Sequence, residues 1–596
     1  MNLIKNKSNY DMLPSIKIDG HQCFTGWDAI VNVIRQHAQK IDAAKKIIAI
    51  ECYHGVDTNE LCTAMEALHN DVRIIHSALA LKQHAEIDKM VYPFVTDDPV
   101  FGYMTDLRFE DFFSTEKIAA ASNEIQLCPN EFIIVIGQGA SLIVTDPDLL
   151  IYADMPRWEI QLRYRKNKIS NLGISNTDAP FSYQYKRSYF VDWRVCDSHK
   201  RLITEDVDFY LDTTIYGNAK LVSADAMCAA LHAAINTPFR LVPFFDPGPW
   251  GGQWLKEVCD LPRNEINYAW GFDCVPEENS LMFDFDGILY ELPAINLVFA
   301  YPEQLMGKKT YACFGAEFPI RFDFLDTMQG GNLSLQVHPL KEYIRKHFGM
   351  KYTQDESYYI LDAAPEAFVY LGLKDKVDAN KMMEDLHLAQ SNNDWFYADE
   401  YVEKWEVKKH DHVLIPSGTV HCSGANSMVL EISATPYIFT FKLWDWGRLG
   451  LDGKPRPISL EHGKEVIQWN RTTEWTKQNL LHQEKQIASG DGWVEEQTGL
   501  DSSSFIETRR HWFSKKVTHH TNGSVNVINV VEGKCIIVES PEDAFKPFIV
   551  HYAETFIVPA AVEKYTIRPY RESEGHTCGT LKASMRIENL ENIHKN

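Results

Sequence analysis

Short apolar runs alternate with helix-period stretches through the first 235 residues. Lys46-Ile47-Ile48-Ala49-Ile50 is one such run, followed by a glycine-bearing turn and a helical pattern over 59–68. Residues 132–136 form a second run, ending at Gly137-Gln138-Gly139, a lone G-x-G that carries almost no weight. Residues 149–152 form a third, and a basic helical pattern over 158–165 follows. Strand, turn and helix in repetition predict a parallel α/β sheet. The texture changes where proline and glycine cluster, at Phe244-Phe245-Asp246-Pro247-Gly248-Pro249-Trp250-Gly251-Gly252. Beyond a boundary near residue 236, short strands of alternating polarity dominate, as in an all-β barrel or sandwich. A helical insertion fits 377–389, and a polar helical segment runs from Gly463 to about Gly490. Strand texture returns from Asp491, clearest at 525–533 and 553–560. The pattern predicts a multi-domain chain divided into 1–235, 236–462 and 463–596.

Composition narrows the classes of partner. A chain of 596 residues exceeds what one hydrophobic core serves. A net charge of −23 disfavours nucleic acid and anionic membranes, which select basic faces. It leaves room for a phosphorylated small molecule, which a few local Lys or Arg can hold. The twelve cysteines include no C-x-x-C pair and fall singly in apolar runs such as Gly533-Lys534-Cys535-Ile536-Ile537. That is the usage of reduced thiols in a cytosolic protein. The opening Met1-Asn2-Leu3-Ile4-Lys5-Asn6-Lys7 is polar and lacks a signal-peptide core. No apolar run approaches the ~18 residues a membrane helix needs. The expectation is a soluble, cytoplasmic protein.

The chemistry-bearing residues lie in the second half. Gln336 and His338 stand two apart in Leu335-Gln336-Val337-His338-Pro339, so one strand face carries both. His421 follows the turn Pro416-Ser417-Gly418-Thr419-Val420, near the start of another strand. Glu356 lies between them. Two imidazoles, one carboxylate and one amide suit a divalent ion of the zinc type, one per chain, with open positions left over. Iron, manganese and nickel remain open on these residues. The Pro-x-Gly-x-x-His turn fits a cupin second motif, with Gln336 in place of the first motif's leading His.

That substitution resembles class I mannose-6-phosphate isomerase. Further stretches resemble the family in order: the run around Trp250-Gly251-Gly252, Phe318-Pro319-Ile320-Arg321-Phe322-Asp323-Phe324-Leu325-Asp326, Leu443-Trp444-Asp445-Trp446-Gly447-Arg448, Gly453-Lys454-Pro455-Arg456, and Val558-Pro559-Ala560. The resemblance covers roughly 240–590. It implies a double cupin of the jelly-roll kind, zinc held by Gln336, His338, Glu356 and His421, and interconversion of mannose 6-phosphate and fructose 6-phosphate through a cis-enediol. It places Lys341 and Glu431 near the site. Lys442 stands where short bacterial members carry an arginine, and loses that residue's planar fork. The Asn-Ser-Asp that usually precedes it is replaced by Ala434-Thr435-Pro436-Tyr437. Either the substrate differs, or the rate is reduced, or Arg448 takes over. The alternative is a sugar-phosphate-binding or sensing cupin with little or no turnover. Oligomeric state is open.

In the first segment, Ile48-Ala49-Ile50-Glu51-Cys52-Tyr53-His54-Gly55-Val56-Asp57-Thr58-Asn59 has the strand–turn–helix frame of a P-loop. Asp57 and Thr58 stand where the motif needs glycine and lysine, so the loop is expected to be unable to cradle ATP. The frame resembles a degenerate uridine-kinase-like domain. Arg157, Arg163 and Arg165 are its candidate phosphate ligands.

Overall fold

The computed structural model describes residues 8–392, 394–436, 438–499 and 502–592. The polar opening Met1–Lys7 and Tyr437 lie outside the described residues. The chain divides into two compact units. One comprises Ser15–Ala233 and Ser280–Ala300; the other comprises Met1–Pro14, Ala234–Asn279 and Tyr301–Asn596. The single cut near residue 236 therefore differs from the observed division in two segments, 1–14 and 280–300. Residues 280–300 read as part of the β half because they form a hairpin, Ser280–Phe285 with Ile288–Pro293. That hairpin pairs in parallel with Ser15–Lys17 of the α/β unit.

The α/β unit is built on five parallel strands. In space they run Phe209–Asp212, Leu149–Asp154, Lys46–Cys52, Phe132–Gly137, Val72–His76. Lys220–Ser223 and Cys23–Thr25 extend one edge antiparallel. The three central strands are continuous apolar runs because helices cover both faces of such a sheet.

The turn after Lys46–Cys52 gives the P-loop resemblance no support. Asp57 caps the helix Thr58–Met65, and its carboxylate accepts from the amides of Asn59 (3.0 Å) and Glu60 (3.3 Å). An acid of the chain thus occupies the helix N-terminus where a phosphate would bind. The three arginines are engaged as well. Arg157 is ion-paired with Asp197. Arg163 donates to the carbonyls of Gly55, Thr213 and Thr214. The Arg165 guanidinium lies over Trp158 and Phe181, 5.2 and 4.8 Å from their ring centres.

The β unit contains two jelly rolls in tandem. The first uses, in chain order, Ile320–Asp326, Leu335–Val337, Glu356–Ala363, Phe368–Leu373, Val402–Glu406, His412–Ile415, His421–Ser423 and Ser427–Ala434. The sixth, third, eighth and first strands make one sheet; the fifth, fourth, seventh and second make the other. Trp270–Cys274 and Phe244–Asp246 widen the first sheet, and Phe441–Trp444 widens the second. The insertion expected at 377–389 is the helix Ala379–Asn392, between the fourth and fifth strands. The second roll repeats the order with Ile506–Phe513, Val517–His520, Asn526–Glu532, Cys535–Glu539, Phe548–His551, Thr555–Val558, Lys564–Pro569 and Cys578–Met585. The double-sheet fold is legible in the alternation because each strand has one face in the lumen between the sheets. The polar segment from Gly463 proves mixed: helices Leu460–Val466 and Thr473–Asn479, then a strand, Lys485–Gly490. None of the twelve cysteines is in a disulfide. No helix among the described residues is long and apolar enough to cross a membrane.

Candidate metal centre

Glu356 and His421 are the first residues of strands in opposite sheets of the first roll, and both point into the lumen. His421 Nε2 lies 2.8 Å from Glu356 Oε1, and His338 Nε2 lies 3.0 Å from Glu356 Oε2. One ligand atom from each of the three lies within 4.8 Å of the others. Gln336 faces His421 directly across neighbouring strands, its amide 3.3 Å from His421 Nε2. All four are buried.

The backbone fixes both imidazoles. His338 Nδ1 donates to Phe439 O at 3.1 Å, and His421 Nδ1 donates to Thr419 O at 2.8 Å. Each ring therefore carries its proton on the outer nitrogen and presents Nε2 to the lumen, the arrangement by which second-shell carbonyls orient metal-binding histidines. The turn before His421 requires its glycine. Gly418 has φ 87°, and a Cβ there would stand 2.7 Å from Gln468 Cγ and 2.9 Å from the Val466 carbonyl. Arg471 pins the same turn by donating to the carbonyls of Pro416 and Ser417.

The electrostatics match the donor set. Burial alone would raise the Glu356 carboxyl, but the two imidazoles outweigh it and hold the group well below its ordinary range. Burial would lower His338, but the Glu356 carboxylate outweighs that and raises it. Two nitrogen donors, a carboxylate and an amide, buried in the lumen with outer-shell hydrogen bonds, fit a zinc-type ion.

The strand registers show what surrounds the quartet. Arg321, Ser433 and Glu356 lie side by side across three strands, and Asp323, Glu431 and Tyr358 form the next inward row. All six are buried. Arg321 reaches Asp323 at 3.1 Å and Glu431 at 3.5 Å. Gln354 donates to Glu356 at 2.9 Å and to Glu431 at 3.3 Å. Burial, with Asp323 and Glu356 nearby, raises the Glu431 carboxyl well above its ordinary range. Burial raises Asp323 to about 6, against the pull of Arg321. A jelly-roll interior normally gains stability from apolar packing, and a buried ionic cluster is often worth less than well-packed hydrophobes by about 1–4 kcal/mol.

Glu431 is buried beside the quartet, not exposed at a strand end. Lys442 lies opposite Gln336 on the edge strand Phe441–Trp444 and shares its face. Burial, then the neighbouring Arg456, pushes its ammonium down to about 8. Arg448 is held by Asp445 at 2.7 Å and donates to Asn332 O. Arg456 joins the same carboxylate at 3.1 Å and also donates to Ser334. Lys341 begins the helix Lys341–Phe348 and lines a cavity of about 430 Å³ with Asp355, Ser417, Arg471 and Phe505, none of them in the quartet. Arg321, Asp323, Gln354, Tyr358 and Ser433 were assigned no role from the sequence. Arg321 and Asp323, two apart in an otherwise apolar strand, were the available signal.

Comparison with known proteins separates the two units. Residues 26–236 match a family model described as "Domain of unknown function (DUF8485)". The chain is 27% identical over 232 residues to mannose-6-phosphate isomerase ManA of Bacillus subtilis, spanning 39% of this chain and 68% of that protein. It is 26% identical over 220 residues to mannose-6-phosphate isomerase of Streptococcus mutans, spanning 37% and 64%. The crystal structure of the B. subtilis mannose 6-phosphate isomerase aligns over 58% of this chain and 99% of that one, with TM-score 0.47 and 18% identity. A zinc-bound mannose 6-phosphate isomerase aligns over 58% and 98%, with TM-score 0.43 and 12% identity. The chain is thus similar in sequence, over 37–39% of its length, to mannose-6-phosphate isomerases, and its residues 26–236 match a model described as of unknown function.

Proposed function

We propose that this chain is a zinc-dependent aldose–ketose isomerase acting on mannose 6-phosphate and fructose 6-phosphate through a cis-enediol. The observation that carries the reading is the buried His338–Glu356–His421 cluster, with Gln336 beside it, in a lumen of charged side chains. Gln336, His338, Glu356 and His421 would hold the ion. When bound, a divalent ion supplies Lewis-acid stabilisation of the negative charge that develops on the sugar's carbonyl oxygen.

The remaining chemistry belongs to the side chains. A base must take the proton from C2 and return it at C1. Glu431 is the carboxyl group best placed: it is buried next to the ligand carboxylate and shares the Gln354 amide with it. Asp323 and Arg321 set the field around it. The phosphate end of the sugar suits the opposite flank of the strand, where Lys442, Arg448 and Arg456 outnumber the single carboxylate of Asp445.

One observation favours the second reading, binding without turnover. Arg448 and Arg456 both grip Asp445, and Lys442 offers a point charge in place of a fork. A coupled assay of mannose 6-phosphate and fructose 6-phosphate interconversion, before and after chelation and zinc add-back, separates the two. Turnover lost on chelation and restored by zinc supports the isomerase. A folded, zinc-loaded chain that binds the sugar phosphate without converting it selects the second reading.

A further inference from the structure

The second lumen repeats the first row by row, with three of its four charges reversed and the fourth made neutral. In the first roll one inward row reads Glu356, Ser433, Arg321, and the next Tyr358, Glu431, Asp323. The corresponding rows of the second roll read Asn526, Ser584, Glu507, and Ile528, Lys582, Arg509. Across the facing sheet, the pair Gln336–His421 becomes His519–Tyr565. The metal-binding carboxylate is thus an amide, and Tyr565 Oη donates to Asn526 Oδ1 at 2.8 Å where His421 meets Glu356. The arginine–acid pair recurs with its ends exchanged: Arg321 with Asp323 at 3.1 Å, Arg509 with Glu507 at 3.1 Å. Glu431 becomes Lys582.

Lys582 is 7% exposed and has no hydrogen-bond or ion-pair partner among the described residues. The two acids closest to it are already neutralised in part, since Arg509 reaches Glu495 and Glu507 at 3.1 Å each. Beside it, the rings of His511 and His519 stand 4.6 Å apart, both nearly fully buried. His511 Nε2 donates to Glu495 at 3.0 Å, while His511 Nδ1 and His519 Nε2 have no partner. A buried ammonium and two unsatisfied ring nitrogens are costly unless something answers them. Burial pushes the Lys582 ammonium down to about 8.

The long sheet carries two strands beyond the short one, so the inner face of Trp493–Gly499 is only partly covered. Trp493, Glu495 and Gln497 on it are half-buried. Phe513, Val530, Val538 and Ile567 fill the far end of the lumen. Among the described residues the three-ligand metal cluster occurs in the first lumen and not in this one. We propose that the second lumen is a binding site for a small oxyanion, a phosphate ester or a carboxylate, centred on Lys582 and flanked by His511 and His519. The proposal does not rest on the isomerase reading.

The test uses the full chain carrying His421→Ala, which removes a metal ligand of the first lumen; any anion held at Lys442, Arg448 and Arg456 is told apart by its indifference to the Lys582 variants. Inorganic phosphate and acetate are titrated separately by calorimetry. Saturable binding of either probe at one site per chain, weakened about tenfold or more by Lys582→Met and retained in Lys582→Arg, is the expected result. The probe that binds identifies the source, phosphate or carboxylate. No saturable binding of either probe, or equal affinity in Lys582→Met, overturns the proposal. Should Lys582→Met fail to fold, amine-reagent labelling of Lys582 in the His421→Ala chain is read by mass spectrometry. Protection by the probe supports the site, and unchanged labelling overturns it.

Discussion

His421 Nε2 stands 2.8 Å from Glu356 Oε1, joining the first residues of two strands in opposite sheets. An ion held between them would bridge the sheets as well as serve chemistry. His421→Ala is expected to bring zinc content, measured by elemental analysis after dialysis, from about one ion per chain to near zero. Isomerase turnover should fall with it. Full activity in that variant would remove the site assignment.

Glu431 sits one row inward from Glu356 and shares the Gln354 amide with it. Glu431→Gln keeps the shape and loses the proton carrier. The expected outcome is a drop in kcat of about 10²–10⁴-fold with zinc content unchanged. Loss of zinc along with activity would mark Glu431 as a support for the ligands instead.

Lys442 faces the same side as Gln336, and Arg448 and Arg456 are committed to Asp445. If Lys442 positions the sugar phosphate, Lys442→Met should raise KM for mannose 6-phosphate about tenfold or more, and Lys442→Arg should preserve or improve kcat/KM. Identical steady-state constants in all three proteins would place Lys442 outside the substrate site.

The sequence made some of this architecture visible and hid the rest for physical reasons. Gln336, His338 and His421 were readable because a two-residue spacing and a Pro-x-Gly turn are local geometry. Glu356 was readable only as an acid lying between those two runs, since nothing in its own strand announces a ligand. Arg321, Asp323 and Glu431 are brought together by strand pairing between residues about 110 apart, which no local period encodes. The hairpin 280–300 was misassigned because a strand's texture does not say which sheet it joins. The turn at Asp57 resembled a P-loop because strand–turn–helix is common. The cap formed by Asp57 itself shows that the helix end serves the chain's own acid.

His412 gives the first roll a pH dependence that can be separated from the metal centre. It starts the strand His412–Ile415, and Nε2 is 2.9 Å from Ser357 Oγ. Burial, with Arg510 nearby, pushes its pKa down from 6.5 to about 3. In the unfolded chain the imidazole takes its proton near 6.5, while in the folded chain it stays neutral until about 3. Between those values the unfolded state holds more protons, so folding stability falls as pH falls through this window. Each pH unit inside it is worth at most about 1.4 kcal/mol. His412→Asn keeps a partner for Ser357 and removes the titration. The loss of stability between about pH 7 and pH 4.5, from denaturant midpoints, should be about 2–3 kcal/mol smaller in the variant than in the wild type. Parallel pH dependences in the two proteins would show that the imidazole finds a protonated state in the folded chain, and the roll would then owe its acid sensitivity to its carboxylates.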